Sequence, residues 1–446
     1  MSFSRRRFFQ IAGTGIVASY FADVFDPRLL LASTTTTANI SLRNTAKSCI
    51  FIFLPGAPSQ TDLWDLKEGS WTPTDLAPTS YGSMRWPQGL MPKTGEHLGK
   101  LTIVRSALSW AAVHQLGQVW AQIARNPGGA TGAIAPHMGA VVALESQAAR
   151  TPADVLPGFI ALNAGSIPTC GYLPAKYAPF GVTTDESGLS TLTHPEGSTR
   201  FTRRWDLMHQ LDANRASGAL GKPSLDMNDF YDQSKVLMEA PGINALFTFD
   251  DAEHARYGST LFGDSLVVAR NLVSAKKGTR FVQVTLGGWD HHSDIYDKDA
   301  AQSIYTQSAE LDAGLAALLA DLDASKLLDE TLIVIAAEFG RTVGPLNGQG
   351  GRDHFLRNSV VFAGGGTKGG RAIGATDPTG ANVIEYGWSA KRDVRPEDVT
   401  STIYSALGID YTKVRTDDPL GRGFEYVPFA AQGQYAPIEE LWSATS

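Results

Sequence analysis

Six short apolar runs, at residues 49–54, 101–104, 158–162, 281–286, 332–337 and 359–363, constrain this chain most, because most of them are continuous rather than alternating. A strand with one wet face alternates apolar and polar residues, whereas a continuous run belongs to a strand covered by helices on both faces. Helix-like segments stand between the runs. Leu311, Leu315, Leu318, Leu319 and Leu322 recur at three- and four-residue spacing, with Glu310, Asp312, Asp321 and Asp323 off that stripe, which predicts a helix packed on a sheet. Leu261, Leu266, Ala269, Leu272 and Val273 predict a second helix. It leaves at Lys276-Lys277-Gly278, where cations suit the helix dipole and glycine suits the exit. The alternation of strand and helix predicts an α/β domain.

Polar clusters follow at comparable strand ends, where ligands gather in open α/β sheets. Gly287-Gly288-Trp289-Asp290-His291-His292 follows the run at 281–286, Glu338-Phe339-Gly340-Arg341-Thr342 follows 332–337, and Gly350-Gly351-Arg352-Asp353-His354 lies downstream. Carboxylates and imidazoles there make a candidate metal or acid–base site. Asp290 and His292 lie two apart and would share a face of an extended strand end, with His291 turned away, whereas in a turn all three could converge; Asp290 and His292 are the favoured ligands and His291 the second choice. The competing reading is an Asp-His pair that caps the next helix. Glu338 reads either as a metal ligand or as the partner of Arg341 in an ion pair across the turn. Asp353 and His354 follow a glycine-rich loop, which lets them reach back over the sheet edge. The run at 49–54 feeds a Gly/Pro turn from Pro55 to Asp62, suited to hold Ser59 as a nucleophile or Asp62 as a ligand. Ser and Asp are also the ordinary residues of turns. The glycine-rich stretch from Gly364 to Gly370 lacks the phosphate-loop pattern and reads as a hairpin.

Composition narrows the chemistry. Only two cysteines occur, Cys49 and Cys170, outside any CxxC pair, so a metal must sit on oxygen and imidazole ligands. A net charge of −7, with no basic tract beyond the N-terminus, excludes the electrostatic footprint of a nucleic-acid binder. Ser4-Arg5-Arg6-Arg7-Phe8-Phe9-Gln10 before an apolar segment matches the twin-arginine export pattern, placing the protein in the periplasm, envelope or exterior. No later segment reaches the roughly 18 uninterrupted apolar residues of a membrane span. The chain thus divides into a signal segment at 1–33, a linker at 34–47, one α/β domain at 48–430 and a tail at 431–446. Irregular insertions are expected at 63–100 and 176–242. Trp64, Trp71 and Trp86 in the first of these are either packing or a carbohydrate platform.

These motifs together resemble the bacterial domain of unknown function 1501 family, whose members look like distant relatives of sulfatases and alkaline phosphatases. The likeness runs from about Cys49 to Asp410 and includes the turn before Asp62, the three clusters above, Gly364-Gly365-Gly366, Gly374-Ala375-Thr376-Asp377 and Pro396-Glu397-Asp398. It implies a doubly wound, mostly parallel sheet with helices on both faces and a divalent metal (Zn, Ca, Mg or Mn) at its carboxyl edge. It also implies hydrolysis of phosphate or sulfate esters, small or polymeric. Asp62, Asp290, His292, Glu338, Asp353 and His354 would hold the metal, and Ser59 or water would attack. His354 and Arg341 would serve catalysis, with Arg341 or Arg352 holding a non-bridging oxygen. Two departures weigh against full sulfatase chemistry. Phe339 stands where the sulfatase pattern Asp-His-Gly has an imidazole, and no Cys-x-Pro-x-Arg motif occurs. The alternative is a non-catalytic envelope protein that keeps the fold and perhaps one metal.

Overall fold

The computed structural model describes residues 40–443 except 166, 191, 193 and 212–216. The export segment expected at 1–33 lies outside the described residues. Residues from Leu42 onward form one compact unit.

Its centre is an eight-stranded sheet. In chain order the strands are β1 (Ser48–Phe53), β2 (Leu101–Leu108), β3 (Phe159–Leu162), β4 (Phe180–Val182), β5 (Phe281–Thr285), β6 (Thr331–Ala336), β7 (Arg357–Gly364) and β8 (Arg371–Ile373). Across the sheet they run β8-β2-β7-β6-β1-β5-β3-β4. Every pairing is parallel except the two made by β7, which lies antiparallel between β6 and β2.

Seven principal helices accompany the sheet: α1 (His114–Ile123), α2 (Met138–Ser146), α3 (Ser198–Leu211), α4 (Lys222–Glu239), α5 (Leu261–Ala275), α6 (Ile304–Ala324) and α7 (Pro396–Ala406). The pleat of β1 shows why its run is continuous. Ile50, Ile52 and Leu54 enter one core with Leu266 and Leu272 of α5 and Leu311, Leu315 and Leu318 of α6. Cys49, Phe51 and Phe53 enter a second core with Val141 of α2 and Ile403 of α7. The sheet is therefore doubly wound, and each face removes its apolar residues from water.

Several expectations need correction. β2 extends four residues past the apolar run at 101–104: the buried polar Arg105 and Ser106 fall where its register with β7 shifts, and pairing resumes at Ala107 and Leu108. The stretch from Gly364 to Gly370 is no hairpin: β8 after it skips β7 and pairs in parallel with β2. The insertion read as irregular at 176–242 contains α3 and α4, whose outward apolar residues blur the amphipathic pattern. α5 leaves its helix on Lys276, with φ +51°, rather than on the glycine two residues later. Trp64 and Trp86 are buried against each other at 5.9 Å, so they pack the first insertion and offer no platform.

A candidate metal centre at the carboxyl edge

Five adjacent strands deliver residues to one edge of the sheet. The neighbours β6, β1 and β5 end there and lead to Glu338, Gly56 and Asp290 respectively. β2 ends there and leads to His114 at the first turn of α1, and the antiparallel β7 begins there just after His354. Residues His354–Phe355 pair with Gly340–Arg341 in a short antiparallel ribbon, His354 opposite Arg341.

Close backbone approach assembles the loops. Gly56, at φ +105°, lies so near the 289–290 peptide that a Cβ there would fall 2.8 Å from the Asp290 nitrogen. A Cβ on Gly351 would fall 2.1 Å from the carbonyl carbon of His292. Trp289 is fully buried and donates its indole N–H to the Leu286 carbonyl at 3.0 Å, which anchors the turn that presents Asp290.

Four residues, His114, Asp290, His292 and His354, each offer one ligand atom, and these atoms all lie within 4.8 Å of one another. The three imidazoles are oriented alike. His354 Nδ1 lies 2.8 Å from the Ala112 carbonyl, which only accepts, so this nitrogen carries the hydrogen. His114 Nδ1 meets Glu338 Oε1 at 2.7 Å and His292 Nδ1 meets Asp353 Oδ1 at 3.2 Å, both carboxylate acceptors. Each Nε2 is thereby left as a lone pair facing the centre, and that of His292 also lies 3.2 Å from Arg341 Nη1, from which it accepts. The Nε2 atoms of His292 and His354 are 2.9 Å apart, and Asp290 Oδ1 lies 3.2 Å from that of His114 and 3.0 Å from that of His292. His114 Nε2 is buried without a hydrogen-bond partner. Lone pairs converging in this way repel unless a cation or proton stands between them, so the donor set fits a metal ion.

The surrounding charges act in a consistent direction. Burial opposes ionisation of Asp290, but the Arg341 guanidinium with His114 and His292 holds its carboxyl below the usual range. The bond from Glu338 raises His114 above the ordinary imidazole value. Burial lowers His354, assisted by Arg341 and the neighbouring imidazoles. The side chain of Asp290 is 50% exposed, so a ligand can reach the cluster from solvent.

The candidates named from sequence separate into three groups. Asp290, His292 and His354 converge. Glu338 and Asp353 stand one imidazole behind: each commits one carboxylate oxygen to an Nδ1 atom, while the second oxygen of Glu338 is buried without a hydrogen-bond partner. Ser59 and Asp62 are buried elsewhere: Ser59 donates to Asp62 at 2.6 Å, and Asp62 also accepts from Arg352 Nε at 2.7 Å and from Tyr296 at 2.8 Å. Of the two readings of Glu338, the ion pair with Arg341 across the turn does not form. Arg341 instead contacts Asp290 and His292 and donates its remaining guanidinium hydrogens to the carbonyls of Gly56, Ala57 and Arg352, leaving none of its five for a ligand. His291 is buried, which lowers its pKa to about 4. His114 escaped the sequence reading because it stands alone after Trp110-Ala111-Ala112-Val113. The available signal was its place just beyond the end of β2, on the same edge as the others.

Comparison with curated protein sequences gives no match. Among solved structures, the chain is similar to Ps i-CgsB in complex with k-i-k-neocarrahexaose (14% identity, TM-score 0.40, covering 88% of this chain and 79% of that one). It is also similar to the PsFucS1 sulfatase from Pseudoalteromonas sp. (11%, TM-score 0.39, 82% and 68%). A third likeness is to a protein in the alkaline phosphatase superfamily from Vibrio parahaemolyticus (9%, TM-score 0.36, 83% and 68%). A family model described as "Protein of unknown function (DUF1501)" matches residues 46–432, and the chain belongs to that family.

Proposed function

We propose that this protein is a metal-dependent hydrolase that holds one divalent cation on His114, Asp290, His292 and His354 and acts on phosphate or sulfate esters. The observation that carries the reading is the common orientation of three imidazoles, each with Nδ1 committed to an oxygen and Nε2 turned to one carboxylate-flanked point. Three nitrogens and one carboxylate suit zinc or another first-row ion better than calcium or magnesium, which favour all-oxygen shells. A divalent ion bound there supplies Lewis acidity toward an ester oxygen and acidifies water. The chain's own residues do the positioning. Glu338 and Asp353 fix the imidazole tautomers, Arg341 ties Asp290 to the turn at Gly56, and the Asp62–Arg352 pair holds the loop that carries His354. Attack falls to water rather than Ser59, whose hydroxyl is buried and donates to Asp62.

The ester class follows from the resemblance of the motifs. Its test is a screen of generic phosphate mono-, di- and sulfate esters with metal-loaded protein, in parallel with His354→Ala. Turnover by the wild type that His354→Ala abolishes supports the reading. A metal-loaded wild type inert across that panel overturns it in favour of a metal-holding protein without catalysis. One observation favours that second reading: the cluster has neither an accessible Ser59 nor an uncommitted Arg341. Export through the twin-arginine route belongs to the same proposal. Among the described residues, no helix is long and apolar enough to cross a membrane.

A further inference from the structure

Two tryptophans beside the metal centre are held in a fixed pose. Trp110 and Trp120 lie nearly parallel with ring centroids 5.9 Å apart. Both indole N–H groups donate to one buried carboxylate, Glu397 of α7: Trp110 to Oε2 and Trp120 to Oε1, each at 2.9 Å. The polar edges of the two rings are thus turned inward, and the Arg395 guanidinium lies 3.8 Å from the Trp110 centroid. Trp110 nonetheless stays 40% exposed. Val113, Leu116 and Trp120 follow one another at four- and three-residue spacing, so they line one side of α1 and its cap, and Val113 and Leu116 are exposed as well. Leu356, also exposed, stands two residues after His354 and accepts the Ser109 amide on its carbonyl at 2.9 Å, next to Trp110.

This apolar stripe is continuous with the metal centre. His114 opens α1 directly after Val113, and the Ala112 carbonyl, within the segment from Trp110 to Val113, holds His354 at 2.8 Å. From Val113 to Trp120 the stripe runs about 10 Å at the rise of a helix. Its side chains offer a ligand no donor or acceptor, because each indole has one N–H, both are spent on Glu397, and the aliphatic groups have none. Sugar hydroxyls laid on it would lose water without replacement, whereas a hydrocarbon group gains by leaving water. Rings already fixed by Glu397 lose little freedom on binding.

We propose that Trp110, Val113, Leu116, Trp120 and Leu356 bind the hydrocarbon group of an ester whose charged head meets the metal, so that the site selects esters of apolar alcohols. This rests on the ester-hydrolase reading above. The test is isothermal titration of the zinc-loaded full chain with methylphosphonate and hexylphosphonate, which share a charged head and resist hydrolysis because a P–C bond replaces the ester oxygen. Hexylphosphonate should bind about 10-fold tighter or more, as its longer chain leaves water. Leu116→Gln and Trp110→Ala should each reduce that preference to about 3-fold or less. Leu116→Gln leaves both bonds to Glu397 in place, so its result stands even if Trp110→Ala does not fold. Equal affinity of the wild type for the two phosphonates, or a preference that Leu116→Gln retains, overturns this proposal and leaves the metal site standing. A zinc-loaded wild type that binds neither phosphonate overturns the ester reading and this proposal with it. Displacement of hexylphosphonate by maltotriose would mark a sugar site, and a wild-type dimer that Leu116→Gln dissociates would assign the stripe to a second copy; either overturns the proposal.

Discussion

His114 and Glu338 lie 224 residues apart in the chain, and Nδ1 of the first meets Oε1 of the second at 2.7 Å. In the proposed metal site, the contact makes Glu338 the group that aims a ligand rather than a ligand itself. Glu338 Oε1 also accepts from the Gly56 amide at 2.8 Å and from Gln118 at 3.1 Å, so its position is set by three donors, two on α1 and one on the turn after β1. Glu338→Ala should lower zinc affinity by about 10–100-fold, the usual cost of losing a carboxylate behind a ligating imidazole. Glu338→Gln keeps an acceptor and should recover part of it. Isothermal titration against a zinc buffer checks both, and equal affinity in all three proteins would refute the role.

The buried pair of Asp62 and Arg352 should matter for stability out of proportion to its distance from the ligands. Both side chains are fully buried, and Arg352 donates to Asp62 through Nε at 2.7 Å and Nη2 at 3.1 Å. Asp62→Leu leaves a buried guanidinium without its counter-charge and should cost about 3–5 kcal/mol. Ser59→Ala removes one hydrogen bond and should cost about 1 kcal/mol. Urea unfolding measures both. Ser59→Ala should also retain ester turnover, an outcome a serine nucleophile does not permit.

Much of this arrangement is legible before any coordinates. The apolar runs give six of the eight sheet strands because strands buried on both faces carry no polar alternation. β4 and β8 are three residues long and leave too little pattern. Asp290, His292 and His354 stand out because polar groups crowd onto strand ends there. The roles of Glu338 and Asp353 could not be separated from ligation by residue type, since a carboxylate serves either purpose and only the direction of its oxygens decides. Asp62 looked like an edge ligand because its partner Arg352 lies 290 residues away.

Acid should destabilise the fold partly through His137. It is fully buried, accepts the Gly139 amide on Nδ1 at 2.9 Å, and burial lowers its pKa to about 3 from an unfolded value of 6.5. Between those values the unfolded chain binds the extra proton, so the contribution is intact above pH 6.5 and is lost as pH falls, by about 1.4 kcal/mol per unit. His137→Asn keeps a helix-capping acceptor without titrating. The wild type should therefore lose more stability than His137→Asn between pH 6.5 and 4. Parallel stability curves for the two proteins would contradict this.

Replacing Arg5 and Arg6 by lysine should leave the full-length protein in the cytoplasm, since the twin-arginine route reads that pair. Cell fractionation followed by immunoblotting shows the result. Undiminished arrival in the envelope fraction would mean another route.

The direct test of the metal centre is anomalous diffraction from crystals grown with about 1 mM zinc, above any ordinary site affinity. One peak is expected, bonded to Nε2 of His114, His292 and His354 and to an oxygen of Asp290, at about 2.0–2.2 Å, with no peak in His292→Ala. Zinc bound by Glu338 or Asp353 in place of the imidazoles, or no density between the three rings, would contradict it.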